Sequence, residues 1–203
     1  MSLILYGNRA SGHAYKPALF LALAAIPFEY RPVNLELARV ERPADFVAAS
    51  PFGEVPVLVE DGVALAQSNA ILLHLARRHK RFGAADEAGW DRLTQWLFWE
   101  ANRVGFSVPN LRFAYRFARD TPADVVRWLH ARATDDLARL EGELQEKAFL
   151  LGMAPTIADI ACSAYLFWLD QAGLDLGEYP AIAAWLGRIS SLPGWRSPED
   201  LLG

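Results

Sequence analysis

Short apolar runs and helix-period segments alternate over the first third of the chain. Residues 3–6 are apolar and predict a strand, and residues 13–25 carry the spacing of an α-helix. The Ile26-Pro27 pair ends that helix, because proline cannot continue it. A second strand is predicted over residues 28–33. A strand, a helix and a strand in this order predict a β-α-β unit with parallel strands.

The next segment presents its elements in a different order. Residues 42–49 predict a short helix, and apolar runs at 57–59 and 63–65 flank Asp61-Gly62. Asp-Gly suits the type I′ turn of a β-hairpin, so the two runs are expected to pair. A helix follows over residues 68–79. The β-α-β unit and the β-β-α unit together predict a thioredoxin-like α/β domain.

The domain organisation follows from where the strand patterns stop. We assign residues 1–80 to the α/β domain, 81–89 to a linker and 90–203 to an all-α helical-bundle domain. The segment from Trp90 to about Ala118 predicts one long helix. Gly105 and Pro109 are expected to bend it.

Two later helices carry stronger local signals. After Thr121-Pro122, apolar residues recur at steps of three and four, as the core-facing stripe of a helix must. The stripe consists of Val126, Leu129, Ala133, Leu137, Leu140 and Leu144. Thr156 and Asp159 have the spacing of a capping box, and the helix predicted over residues 157–169 is apolar nearly all round and should be buried. We therefore expect Thr156 and Asp159 to be structural residues.

Composition narrows the class of protein. A net charge of −4 argues against a general nucleic-acid binder, and no segment has the roughly 18 consecutive apolar residues of a membrane helix. The N-terminus lacks a basic region followed by an apolar run, so no signal peptide is expected. Cys162 is the only cysteine, which excludes an internal disulfide and a cysteine-based metal cluster. We expect a cytoplasmic protein without a metal cofactor.

Six short motifs carry a resemblance to a known family. In chain order they occupy residues 3–7, 11–16, 50–58, 67–72, 156–161 and 179–185, with the sequences LILYG, SGHAYK, SPFGEVPVL, QSNAIL, TIADIA and YPAIAAW. Their order and spacing resemble the glutathione S-transferase family over nearly the whole chain, with the bacterial, serine-using branches as the better match. The resemblance implies an enzyme that transfers alkyl or aryl groups in detoxification, with glutathione as a consumed substrate and the chain as a homodimer.

The family's activating residue would lie after the first strand. Ser11 is the leading candidate, because a hydroxyl hydrogen bond to an anion contributes roughly 1.5–3 kcal/mol and a helix N-terminus about 0.3–1 kcal/mol more. The alternative is that Ser11 is only the helix N-cap. Tyr6 is the rival hydroxyl, since some branches use a tyrosine at this strand. Residues 10–13 contain no cysteine, so any thiol chemistry must use the sulfur of the ligand.

The resemblance also assigns four glutathione-binding residues. Val55 and Pro56 carry over as the backbone clamp on the cysteinyl part, with a cis bond between them. Gln67 and Ser68 carry over as the γ-glutamyl site. Many relatives have a glutamate in place of Gln67, and many have a lysine or glutamine in place of Glu54. Both departures put the tightness of binding in doubt, and Arg39 or Arg42 could supply a compensating cation.

The second substrate is expected to be a small apolar electrophile bound by the helical domain. Candidate wall residues are Phe106, Val108, Leu111, Phe113 and Tyr115, with core packing as the alternative for at least half of them. Two other functions remain open: a non-catalytic binding protein with this fold, and a glutathione-dependent isomerase or dehalogenase. Gln67 and Glu54 are the residues that favour the hypothesis of a non-catalytic binding protein.

Overall fold

The computed structural model describes residues 3–203, which divide into two compact units. The first unit comprises residues 3–81 and 192–203, and the second comprises residues 82–191. Four strands lie within the described part of the first unit and form one sheet in the order β2-β1-β3-β4. They are β1 (Leu3–Gly7), β2 (Glu29–Pro32), β3 (Val57–Glu60) and β4 (Val63–Ala66). The β1–β2 pair is parallel, as the β-α-β pattern predicted, and the other two pairs are antiparallel.

The hairpin and the helices of this unit follow the sequence pattern closely. Asp61 and Gly62 have φ values of 48° and 87°, the two positive angles that a type I′ turn requires. The helices are α1 (Gly12–Leu23), α2 (Ala44–Ala49) and α3 (Ser68–His79). A short 3-10 turn over Arg39–Glu41 precedes α2. The thioredoxin-like α/β domain is thereby confirmed.

Two sets of side chains cover the sheet. α1 and α3 pack on each other and on the strands. Phe46 of α2 instead joins a cluster with Tyr6, Val33 and Val57. Because successive side chains of a strand point to opposite faces, Tyr6 and its buried neighbour Leu5 face different layers. Tyr6 therefore points into the layer that contains Phe46 of α2.

The helices and 3-10 segments of residues 82–191 make up most of the second unit, with one isolated β-bridge between Phe149 and Gly152. Its α-helices are α4 (Glu87–Asn102), α5 (Val104–Arg116), α6 (Ala123–Leu144), α7 (Ile157–Ser163) and α8 (Pro180–Ser190). Two 3-10 segments, Leu166–Ala172 and Leu176–Glu178, lie between α7 and α8. The stripe on α6 is buried from Leu129 to Leu144, while Val126 is half-buried.

Two predicted helices are interrupted. The helix expected from Trp90 to Ala118 breaks at Arg103, whose φ and ψ are −117° and −104°. Gly105 lies so close to Glu100 that a Cβ atom would collide with it, so the close approach next to the break needs a glycine. The helix expected over residues 157–169 ends at Ser163 and continues as a 3-10 segment, with Trp168 at non-helical angles.

The end of the chain corrects the expected domain boundary. Residues 192–203, predicted to belong to the helical domain, pack with the first unit. The closing helix α9 (Pro198–Leu202) lies against α1, and Tyr15 of α1 donates a hydrogen bond to the Arg196 carbonyl at 2.8 Å. A Cβ atom on Gly194, at φ 85°, would meet the Ala22 carbonyl at 2.6 Å, so this approach requires glycine.

Membrane insertion through a helix has no support in the described residues. Among residues 3–203, no helix combines the length and the apolar character needed to cross a bilayer.

Candidate active site

Ser11 occupies the junction between β1 and α1. It has extended backbone angles, and its hydroxyl oxygen accepts a hydrogen bond from the Ala14 N–H at 3.2 Å. Ser11 is therefore the N-cap of α1. A hydroxyl has one proton and two lone pairs, so accepting from Ala14 leaves the proton of Ser11 able to donate to an anion. The capping role and a thiolate-stabilising role are compatible in this geometry.

The Tyr6 hydroxyl already has two charged partners. It donates to Asp45 Oδ2 at 2.7 Å and accepts from Arg31 Nη1 at 3.1 Å. The ring is 2% exposed and packs on Phe46 with centroids 5.6 Å apart. Burial, together with the Asp45 carboxylate, raises the pKa of Tyr6 above its usual value. To activate a thiol, the Tyr6 hydroxyl would first have to break its hydrogen bond to Asp45.

Val55 and Pro56 precede the paired residues of β3. The peptide bond between them is cis, as the resemblance implied. The ladders of β3 with β1 and with β4 begin at Val57, so Val55 lies outside both registers. An extended peptide can pair with backbone groups presented in this way.

Gln67 and Ser68 form the entry to α3. Gln67 stands at φ 71°, provides no side-chain cap to the helix and donates from Nε2 to Glu54 Oε2 at 3.4 Å. This contact places the two unusual residues side by side and next to Val55. The first N–H groups of a helix have no acceptor within that helix, so the α3 N-terminus favours an anion.

Lys16 connects α1 to the N-terminus of α3 at Ser68. The sequence did not reveal this contact. Its ammonium donates to Ser68 Oγ at 3.3 Å and to Asn69 Oδ1 at 3.2 Å. The residues predicted to activate and to bind the ligand are thus linked in two steps: Ser11 caps the helix that carries Lys16, and Lys16 bonds Ser68. The presence of a lysine within an apolar helix was the one available signal.

The other candidate cations are engaged elsewhere or are neutral. Arg39 donates to the Ser50 carbonyl at 2.8 Å, and Arg42 donates to the carbonyls of Gly53, Leu35 and Leu37. Both arginines therefore brace the loops on either side of α2. Burial, with Lys16 nearby, lowers the pKa of His13 to about 3. His13 is neutral at physiological pH and supplies no positive charge there.

The depressed His13 pKa predicts an acid-sensitive stability. The unfolded chain takes up this proton near pH ~6.5, whereas the folded chain does so only near pH 3. Folded stability should therefore fall as the pH drops through this window, by up to about 1.4 kcal/mol per pH unit. His13→Gln should flatten the dependence in urea unfolding at about pH 7 and pH 5, while the exposed His130→Gln should leave it unchanged. Equal slopes in all three proteins would refute the prediction.

Among residues 3–203, no group of three or more His, Cys, Asp or Glu side chains is arranged to hold a metal ion.

Comparison with known proteins decides the family. The sequence model of the glutathione S-transferase N-terminal domain matches residues 1–77, and that of the C-terminal domain matches residues 112–193. Disulfide-bond oxidoreductase YfcG of Escherichia coli is 30% identical over 201 residues, covering 94% of this chain and 90% of that protein. The chain belongs to the glutathione S-transferase family.

Two further proteins resemble the chain over nearly its full length. A probable maleylacetoacetate isomerase of Vibrio cholerae is 27% identical over 98% of this chain and 97% of its own. The crystal structure of a glutathione S-transferase from Xanthobacter autotrophicus Py2 has a TM-score of 0.88 and 32% identity, with 98% of each chain covered. The family fold is therefore shown, whereas the names of the relatives span transferase, isomerase and oxidoreductase.

The five expected wall residues of the helical unit fall into two groups according to their burial. Val108 and Leu111 are fully buried in the core, so they do not line an open surface. Phe106, Phe113 and Tyr115 are exposed on α5. The exposed group offers apolar contact area. Core packing holds for two of the five residues, which is fewer than the half that the sequence led us to expect.

Proposed function

We propose that the protein is a glutathione transferase in which Ser11 stabilises the glutathione thiolate. The observation that carries the proposal is the Ser11 hydroxyl, which caps α1 through its oxygen and keeps its proton for an anion. The Tyr6 proton is directed at Asp45, which disfavours the tyrosine alternative. This arrangement supports the serine-using branch of the family.

The rest of glutathione would bind along the same unit. We assign the cysteinyl backbone to Val55 beside the cis Pro56, and the γ-glutamyl carboxylate to Ser68 and the α3 N-terminus. The amide oxygen of Gln67 would accept from the ligand's ammonium group, because its Nε2 already donates to Glu54. Glu54 then places a carboxylate near that ammonium group. An attraction of this kind would strengthen the binding that the two departures from the family pattern were expected to weaken.

The proposed reaction is nucleophilic attack by the thiolate sulfur on a small apolar electrophile. The sulfur–carbon bond forms as the leaving group departs with its electron pair, and the thiol proton has already gone to solvent. Phe106, Phe113 and Tyr115 are exposed on α5 and offer aromatic area that an apolar molecule can contact. We place this chemistry in cytoplasmic detoxification, where the single cysteine Cys162 stays reduced.

Two alternatives keep the same fold. A glutathione-dependent isomerase or dehalogenase would use the same activated thiol, and the isomerase name of the Vibrio cholerae relative favours including it. A non-catalytic binding protein would retain the site without turnover. Because fold alone does not choose among these functions, the choice depends on the measured chemistry.

Calorimetry followed by a turnover panel tests the proposal. We expect glutathione to bind and to be consumed with at least one of the aryl halides, epoxides and isothiocyanates tested. Peroxides and a maleyl-type isomerisable substrate complete the panel. Binding without consumption of any electrophile would support the non-catalytic alternative, and absence of binding would overturn the glutathione assignment altogether.

We also propose that the protein is a homodimer. The exposed apolar residues Phe52 and Val63 lie in the first unit, and Phe98 on α4 is 74% exposed. A second copy could cover such residues through a two-fold interface, the commonest form of assembly for soluble proteins. Sedimentation at micromolar concentration should give twice the mass of one chain.

A matched pair of variants tests that interface. Phe98→Glu should shift the sedimentation towards single chains, because burying a carboxylate in an apolar contact is costly. Phe117→Glu, at another exposed phenylalanine of the same unit, serves as the comparison. A wild-type protein that sediments as one chain would refute the homodimer.

A further inference from the structure

A lysine lies almost completely buried between two helices of the first unit. Lys16 of α1 is 1% exposed, whereas lysines are almost never fully buried unless they are paired with other polar groups. Removing an ammonium group from water is costly, and a methionine of similar length would fill the same space without that penalty. The position therefore calls for an explanation beyond packing.

The direction of the Lys16 side chain supplies the first part of that explanation. Nζ donates to Ser68 Oγ at 3.3 Å and to Asn69 Oδ1 at 3.2 Å, and these are the first two residues of α3. A helix N-terminus carries positive potential, which repels a cation. Two sources of positive potential consequently meet at Ser68, an arrangement that stabilises a bound anion.

The hydrogen bond from Lys16 also fixes what Ser68 can do. The hydroxyl oxygen of Ser68 accepts from Nζ, so its single proton is free to point away from Lys16. Ser68 thereby becomes a donor towards its other side. A carboxylate oxygen bonded to this hydroxyl at about 2.7 Å would lie within roughly 6 Å of Nζ, close enough for direct attraction in a buried environment.

We propose that Lys16 is a positioning residue of the γ-glutamyl site, where it orients Ser68 as a donor and adds a buried positive charge for the ligand's α-carboxylate. The inference rests on the proposed function, because it needs glutathione to bind at Ser68. It gives the site a positive charge of its own, since the guanidinium groups of Arg39 and Arg42 donate to the carbonyls of Ser50 and Gly53 and His13 is neutral.

The test compares two ligands across matched variants by calorimetry. The ligands are glutathione and its analogue with a carboxamide in place of the γ-glutamyl α-carboxylate. We expect wild type to prefer glutathione by about tenfold, a typical loss for a charged hydrogen bond. Lys16→Met should bind glutathione about fivefold more weakly and lose most of the preference, because only the α3 N-terminus would remain to favour the carboxylate. The exposed Lys80→Met is the control for the same chemical change and should behave as wild type.

A second neutral variant keeps the test decisive if Lys16→Met does not fold. Lys16→Gln retains a donor for Ser68 and Asn69 without the charge, and it should also lose most of the preference. A variant that folds, by its circular dichroism spectrum, and keeps the preference would overturn the proposed role of Lys16. Equal weakening of both ligands would show that Lys16 is merely structural. Absence of glutathione binding by wild type would instead overturn the proposed function, and this inference with it.

Discussion

Replacing Ser11 by alanine is expected to raise the pKa of bound glutathione by about one to two units. The loss corresponds to one hydroxyl hydrogen bond to an anion, roughly 1.5–3 kcal/mol, and returns the thiol towards its free value near ~8.5. Turnover at about pH 6.5 should fall about ten- to fiftyfold, and turnover at about pH 9 should fall much less, because alkaline solution restores the thiolate unaided. Ultraviolet absorbance of the thiolate, titrated with glutathione bound, measures the shift directly.

Tyr6→Phe is the matched control for Ser11→Ala. It removes a hydroxyl bonded to Asp45 and Arg31, so it should lower stability slightly and leave the thiolate titration unchanged. If Tyr6→Phe moves the titration and Ser11→Ala does not, Ser11 is only the cap of α1 and the tyrosine assignment replaces it.

Replacing Asp159 by alanine is expected to lower the free energy of unfolding by about 3–5 kcal/mol. Its carboxylate accepts hydrogen bonds from the N–H groups of Leu150 and Thr156 at 2.9 Å and 2.8 Å. The indole of Trp185 and the Thr156 hydroxyl add bonds at 2.9 Å and 3.0 Å. Each buried donor left without an acceptor costs roughly 1–3 kcal/mol, so the loss exceeds that of a cap alone. Urea unfolding measures it.

Two companion variants separate the causes of that loss. Thr156→Ala should cost only about 0.5–2 kcal/mol, since it removes the cap of α7 and leaves Trp185 bonded. Asp159→Asn keeps the shape but turns an amide N–H₂ towards existing donors, so it should remain strongly destabilised. The Michaelis constant for glutathione should be nearly unchanged in all three. A large loss of turnover in an Asp159 variant of normal stability would contradict the structural role.

Local signals in the sequence predicted those parts of the fold that depend on neighbouring residues. The Asp61-Gly62 turn and the Thr156–Asp159 cap are confirmed, because each satisfies backbone groups within a few residues. The helix over Ser68–His79 was predicted with its observed ends. Its N-terminus is marked by polar residues next to an apolar run, a pattern that needs no tertiary information.

The sequence did not predict the features that depend on residues far apart in the chain. At the break, Arg103 forms an ion pair at 2.9 Å with Asp136 of α6, a residue far away in the chain. A lysine within an apolar helix was a signal for Lys16, but nothing near it in the chain shows that Ser68 lies 3.3 Å from its ammonium group. The hydrogen bond from the Trp185 indole to Asp159 joins residues 26 positions apart, and the sequence did not predict it either.

The return of residues 192–203 to α1 affects how the protein can be made. A ribosome adds about 5–20 residues per second, so roughly 6–24 s separate the synthesis of Arg81 from that of the last helix, α9. During this interval α1 lacks the segment that accepts the Tyr15 hydrogen bond and covers its surface. The first unit to be translated is therefore the last to be completed, and a nascent chain stalled before Leu192 would leave an apolar helix face open to chaperones.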